Sequence, residues 1–138
     1  MEKRHFHRVK FHAPGELIHH EMSYRCRLEN VSLRGALISA DECIMVPLGE
    51  TCTFSLCESP DSAPIVISVV IMHCFFSMVG VQFVAFADDA ETRVLELMKR
   101  TTPEPEKLQQ EWEAIIAHRA KQQTQSIPEA AAHAPVGG

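Results

Sequence analysis

Residues 22–29 alternate strictly: Met22, Tyr24, Cys26 and Leu28 are apolar, whereas Ser23, Arg25, Arg27 and Glu29 are polar or charged. A period of two sends successive side chains to opposite sides of an extended chain, so this stretch buries its apolar set only as a strand with one face inward. Similar strands are expected near residues 14–20, 36–39, 51–58, 65–74 and 78–86, punctuated by Pro47-Leu48-Gly49, by the proline- and serine-rich residues 59–64 and by Gly80. Six short strands at this spacing predict a mainly β chain closed into an antiparallel barrel. Residues 65–72 are apolar on both sides, so something must also cover their outer face.

A helix after the last strand could supply that cover. It is expected to start at Asp88 or Asp89, where Asp88 and Glu91 have capping-box spacing, and to carry Val94, Leu95 and Met98 on one side. It should stop before Thr102-Pro103, because a residue preceding proline is pushed out of the α region. Pro103-Glu104-Pro105 then separates a barrel domain, residues 1–102, from an appendage, residues 103–124. The appendage reads as a second helix over 106–123 with Leu108, Trp112, Ile115 and Ile116 on one stripe. Residues 125–138 are rich in Pro, Ala and Gly and predict a disordered tail.

At 138 residues there is room for one domain of about 100 residues and a short extension. No apolar run approaches the roughly 18 to 20 residues that span a bilayer, and the N-terminus opens Met-Glu-Lys-Arg without an apolar segment behind it, so no membrane insertion and a cytoplasmic location are expected. Cys26, Cys43, Cys52, Cys57 and Cys74 are odd in number and lack a C-x-x-C, which fits reduced, mostly buried thiols. The formal charge of −5 argues against a DNA or RNA surface, yet seven of the thirteen Lys and Arg fall in the first 35 residues, leaving a local anion site open. His5, His7, His12, His19 and His20 invite a metal, but no H-E-x-x-H or Cys/His spacing accompanies them, so no metal site is assigned. No ordered cluster of catalytic carboxylates or histidines is present either, so the chain reads as a sensor and not an enzyme. Asn30-Val31-Ser32 matches the N-glycosylation pattern, which has no use in the cytoplasm.

Two short motifs near the N-terminus carry the functional reading. Arg4-His5-Phe6-His7-Arg8 reads R-x-x-x-R, and Asn30-Val31-Ser32-Leu33-Arg34-Gly35 reads [D/N]-x-S-x-x-G. Neither is specific alone, since Asn, Ser and Gly are common at turns. Their order and separation, with Gly80-Val81-Gln82-Phe83 ahead of a final helix, resemble the PilZ domain family over roughly residues 4–100. The resemblance implies a six-stranded PilZ-type barrel with a C-terminal helix and a bacterial receptor for the second messenger cyclic di-GMP, needing no cofactor.

By that resemblance Arg4 and Arg8 bind guanine edges and phosphate, for which arginine offers both charge and a planar fork. Asn30 would meet the Watson–Crick edge of guanine, Ser32 would reach phosphate or base, Gly35 would permit close approach, and Arg34 would add positive charge. His5 and His7 either contact the ligand or stand solvated. Residues 2–10, close to a terminus, are expected to be mobile until ligand orders them. The output would be a protein partner engaged through Leu108, Trp112, Ile115 and Ile116, although Trp112 could equally pack the second helix onto its own barrel. The competing reading is an adaptor that binds protein without ligand.

Overall fold

The computed structural model describes the backbone of residues 6–137 and the side chains of residues 6–122. Six strands, β1 (Val9–His19), β2 (Met22–Val31), β3 (Gly35–Ala40), β4 (Thr51–Leu56), β5 (Ile65–Phe75) and β6 (Met78–Phe86), precede helices α1 (Ala90–Thr101) and α2 (Pro105–Gly137). The strands form a closed barrel in the order β1-β2-β3-β6-β5-β4, antiparallel at every pairing, with β1 against β4 closing the ring. The expected alternation fills its interior: Tyr24, Cys26 and Leu28 of β2 are buried with Leu17, Ile38, Phe54, Val69 and Ile71, whereas Met22, at the start of β2, is exposed. Phe54 is 1% exposed at the centre, where truncation to Ala would cost about 3–5 kcal/mol through lost transfer energy and a residual cavity.

β1 begins earlier than the sequence predicts. Val9 pairs with Val31, and Val9 and Ala13 both point into the core, so the strand starts at residue 9 and not near residue 14. Of residues 2–10, expected to be mobile, Val9 and Lys10 belong to this strand. His7 is buried, its Nε2 hydrogen-bonded to Thr102 Oγ1 just past α1, so it is neither solvated nor turned to a ligand. Residues 1–5, including Arg4 and His5, lie outside the described residues.

Of the four register shifts among the described residues of the barrel ladders, two re-aim side chains that matter for the outer wall. On β2, Leu28 pairs with Ile38 but Asn30 pairs with Leu37, so one extra residue stands on β2. On β5, Ile71 pairs with Val81 but His73 pairs with Gly80, again with one residue to spare. Each is a β-bulge, and beyond a bulge the inside and outside of a strand exchange.

α1 lies against β5 and β1. Val94, Leu95, Leu97 and Met98 are buried along it, and Arg93 fastens it to the β4–β5 connection by donating to the Pro64 carbonyl at 3.4 Å and to Glu58. The expected capping box is not made. The helix starts at Ala90 after Asp89, whose side chain caps nothing, while Asp88 takes a left-handed φ of 48° at the reversal from strand to helix. Asp tolerates that region and is thereby placed one residue too early to cap. The helix ends at Thr101, with Thr102 extended ahead of Pro103.

The chain divides into two compact units, residues 1–103 and 104–138. In the second, α2 starts at Pro105, one residue before the expected position, and its helical backbone runs on past Gln123 through the segment expected as a tail. Along its described part Leu108 is buried, Trp112 and Ile115 are half-buried, and Arg119 stands 5.9 Å from the Trp112 ring centroid. Among the described residues no helix is long and apolar enough to cross a membrane.

Candidate functional site

Strict alternation would send Asn30 inward with Leu28, since both are even-numbered residues of β2. The bulge between them reverses this: Val31 is buried and Asn30 reaches the outer face, where its Oδ1 accepts from Arg8 Nη1 at 2.8 Å. The first motif's second arginine and the second motif's first residue are thus in direct contact across the β1–β2 edge. A carboxamide oxygen has two lone pairs, so Asn30 can accept a further donor while holding Arg8.

The bulge on β5 acts likewise on His73. With Ile71 inward, alternation would bury His73, but the extra residue turns it outward, and its ring lies over Gly80 of β6. A Cβ on Gly80 would overlap the imidazole where it now lies, so the ring takes this position only over a glycine. Gly35 fits the same way: a Cβ there would overlap the Val81 carbonyl oxygen across the β3–β6 ladder. Two residues without side chains on adjacent strands leave a depression in the barrel wall.

That depression is a groove of about 540 Å³ lined by Arg8, Arg34, Gly35, His73, Gly80 and Gln82, with Phe6 at its margin. A smaller hollow of about 240 Å³ abuts it and shares Arg8, His73 and Gly80, with Asn30 and Leu37 on its other side. Arg34 is exposed and its guanidinium lies 5.2 Å from the Phe6 ring centroid, which holds the cation at the rim. Two guanidinium groups and an imidazole on a glycine floor form an anion-attracting cleft.

Ser32 has a role in the fold beside its place in the groove lining. It is buried, and its Oγ accepts from the N–H groups of Arg34 at 3.2 Å and Gly35 at 3.1 Å while donating to the Gly35 carbonyl at 3.3 Å. Its own N–H donates to the same carbonyl at 2.8 Å. The hydroxyl therefore clamps the β2–β3 turn, and Ser32 serves the cleft by holding Arg34 and Gly35 in place. The turn is also tied to β6, where Phe83 N–H donates to the Arg34 carbonyl at 2.8 Å.

Beside the cleft, Glu29 accepts from Ser39 Oγ at 2.6 Å and from Arg27 Nε at 3.4 Å and lies 3.2 Å from His12 Nε2. The Ser39 hydrogen bond first, then Arg27, holds its carboxyl below the usual carboxylate range. Of the five thiols, all free, only Cys26 and Cys52 are buried, while Cys43 and Cys74 are exposed because they occupy the β3–β4 connection and the outer end of β5. The expectation that most are buried therefore fails. Burial, helped by Asp41 and Glu16, pushes the Cys26 thiol up to about 12.

Four of the residues expected at the site, Arg8, Ser32, Arg34 and Gly35, line the larger groove, and Asn30 lines the smaller hollow with Arg8. Phe6, His73, Gly80 and Gln82 belong to it as well. Gly80 and Gln82 stood in the sequence as a mark of the barrel's last strand, but nothing local connected them to the arginines.

No curated protein matches this sequence. Among solved structures the barrel is similar to the Bacillus subtilis inhibitor of motility MotI/DgrA, at 14% identity and a TM-score of 0.60 over 72% of this chain and 51% of that one. The chain thus spans about half of that structure's length, and the likeness is one of fold. The sequence matches the PilZ domain family over residues 2–100, the stretch that builds the barrel, both motifs and nearly all of α1. With the arginine and asparagine of its two motifs joined over a glycine-floored cleft on a six-stranded barrel, the chain belongs to the PilZ domain family.

Proposed function

We propose that the chain is a cyclic di-GMP receptor that binds its ligand in the cleft between Arg8, Asn30 and the β3–β6 surface. The observation that carries this reading is the 2.8 Å hydrogen bond from Arg8 to Asn30, which brings both motifs to one edge of the two abutting hollows. A ligand with two purine bases and two phosphates needs room for two flat groups and cations between them. The larger groove, at about 540 Å³, lies within the roughly 300–1,000 Å³ usual for ligand sites. Arg8 and Arg34 supply forks for phosphate or the O6/N7 edge of guanine. Asn30 retains a lone pair for one of the N1 and N2 hydrogens, and His73 and Phe6 offer rings on which a base can stack. Arg4, four residues ahead of Arg8, would add the second cation of its motif. The reading makes the protein a binding module and not an enzyme, with no metal at this cleft and no DNA or RNA partner.

The signal leaves through a protein partner. Trp112, Ile115 and Ile116 of α2 are partly or fully exposed and form the surface proposed for it, while Leu108 is buried and is not available. A ligand moves such an output only through unequal affinity for two arrangements of the chain, and the stretch up to Arg8 is the element that contacts the ligand first. Calorimetric titration tests the input directly. Cyclic di-GMP should bind saturably and cyclic di-AMP and GTP far more weakly, and equal binding of all three would refute the receptor reading.

A further inference from the structure

The barrel has two ends. Register places Val9, Val31, Gly35 and Ile65 toward the end from which β6 runs into α1, and His19, Met22, Ala40, Thr51 and Phe75 toward the opposite one. At that opposite end His19, His20 and Glu50 each contribute a donor atom to a cluster in which all three lie within 4.8 Å of one another.

Consecutive residues of a strand face opposite ways, so neighbouring histidines do not normally converge. Here they do, because His20 opens the two-residue β1–β2 turn with a left-handed φ of 57°, and the two rings come within 4.1 Å. Residues with a Cβ enter that region infrequently, but the first position of a two-residue hairpin turn calls for it, as Phe76 at φ 58° shows in the β5–β6 turn. Glu50 comes from the other side. Its carbonyl accepts from Ile71 N–H at 3.1 Å and its N–H donates to the Pro47 carbonyl at 3.3 Å, which fixes the backbone just before β4. His19 Nε2 and Glu50 Oε1 stand 3.0 Å apart.

We propose that His19, His20 and Glu50 form a zinc site with two imidazole ligands, one carboxylate ligand and an open fourth position, built across the seam where β1 meets β4. Zinc bonds of about 2.0–2.2 Å in a tetrahedron set neighbouring ligands roughly 3.3–3.6 Å apart, a spacing bracketed by the 3.0 Å between His19 and Glu50 and the 4.8 Å within which all three donors lie. Nitrogen and oxygen donors of this number suit zinc, and an open position is what a two-histidine, one-carboxylate set leaves. The exposed fourth position takes water or a donor from another molecule. The site lies at the far end of the barrel from the Asn30–Gly35 turn and shares no residue with the nucleotide cleft. Bound metal would join the β1–β2 turn to the residue ahead of β4, a pair of strands held in register only from Gly15↔Leu56 to Ile18↔Thr53.

The test uses the untagged full chain, freed of metal and titrated with zinc by calorimetry and with cobalt by visible absorption. One zinc should bind per chain with a rise in melting temperature, and cobalt should give d–d bands of a four-coordinate nitrogen and oxygen set. His20→Ala and Glu50→Gln should each weaken zinc binding at least tenfold with unchanged far-ultraviolet circular dichroism, and His118→Ala on α2 should have no effect. Glu50→Gln keeps the side-chain shape, so its result does not depend on whether the histidine variant folds. The proposal is overturned if zinc does not bind, if both variants bind it as the parent does, or if cobalt shows an intense thiolate charge-transfer band.

Discussion

Gly35→Ala and Gly80→Ala should separate the stability of the barrel from the shape of its cleft. At Gly35 the added methyl would stand under 3.0 Å from the Val81 carbonyl oxygen, whereas an ordinary carbon–oxygen contact is about 3.3–3.6 Å. The obstacle is backbone in the β3–β6 ladder, where Gly35 pairs with Gln82, so relief requires the two strands to part. Overpacking of this kind costs about 1–3 kcal/mol, and a middle value of about 2 kcal/mol lowers the melting temperature of a domain of this size by roughly 8–16 °C. At Gly80 the obstacle is the His73 ring, an exposed side chain that can swing away. That variant should melt within about 4 °C of the parent but lose ligand affinity, because the methyl and the displaced imidazole fill the groove. Thermal denaturation followed by circular dichroism, with calorimetric titration of cyclic di-GMP on both variants, gives the comparison. If Gly35→Ala melts with the parent, the Val81 carbonyl yields easily and the close-approach argument is wrong. If Gly80→Ala binds as tightly as the parent, the cleft floor does not receive the ligand.

Three further outcomes are expected of the site and its surroundings. Arg8→Ala removes a charge-assisted bond worth about 1.5–3 kcal/mol and should weaken cyclic di-GMP binding roughly 10- to 100-fold, and Arg8→Lys should restore it only in part; full restoration in a calorimetric titration would mean that charge alone matters there. Glu29 has a folded pKa below its unfolded value, so its contribution to stability is present above the ordinary carboxylate range and is lost as pH falls through the depressed folded value. Ser39→Ala should move the Glu29 titration upward in a carboxyl NMR experiment, and an unchanged midpoint would assign the shift to Arg27 instead. Brief alkylation of the folded protein should label Cys43 and Cys74 well before Cys26, as peptide mass spectrometry would show, and early labelling of Cys26 would contradict its burial and raised pKa.

Much of the barrel is written locally. The alternation of Tyr24, Cys26 and Leu28 and the turn-forming residues between runs mark the strands, because one buried face and one wet face leave a period of two in the chain. What alternation cannot show is where it breaks. Asn30 and His73 both read as inward-facing by parity, and a single extra residue on β2 and on β5 turns them out, an event decided by pairing with strands elsewhere in the sequence. For that reason Arg8, Asn30 and Gly35 were legible as a motif, whereas His73 and the role of Gly80 were not. Ser32 was legible as a site residue but not as the turn's clamp, since a hydroxyl's partner depends on the fold. His19, His20 and Glu50 were hidden for a related reason: a left-handed turn joins the first two, and the third comes from the loop ahead of β4.

The closure of β1 onto β4 decides how another molecule can engage this protein. In an open sheet an outer strand offers a row of unpaired amide and carbonyl groups, and a partner can dock by extending the sheet with a strand of its own, largely regardless of side chains. A ring of six strands has no outer member along its whole length, so strand addition is confined to stretches where the pairing stops, such as β1 ahead of the Gly15↔Leu56 pair. Elsewhere, contact with the barrel is made largely through side chains on its wall. Recognition of the barrel is therefore specified by residue identity and is open to change by single substitutions.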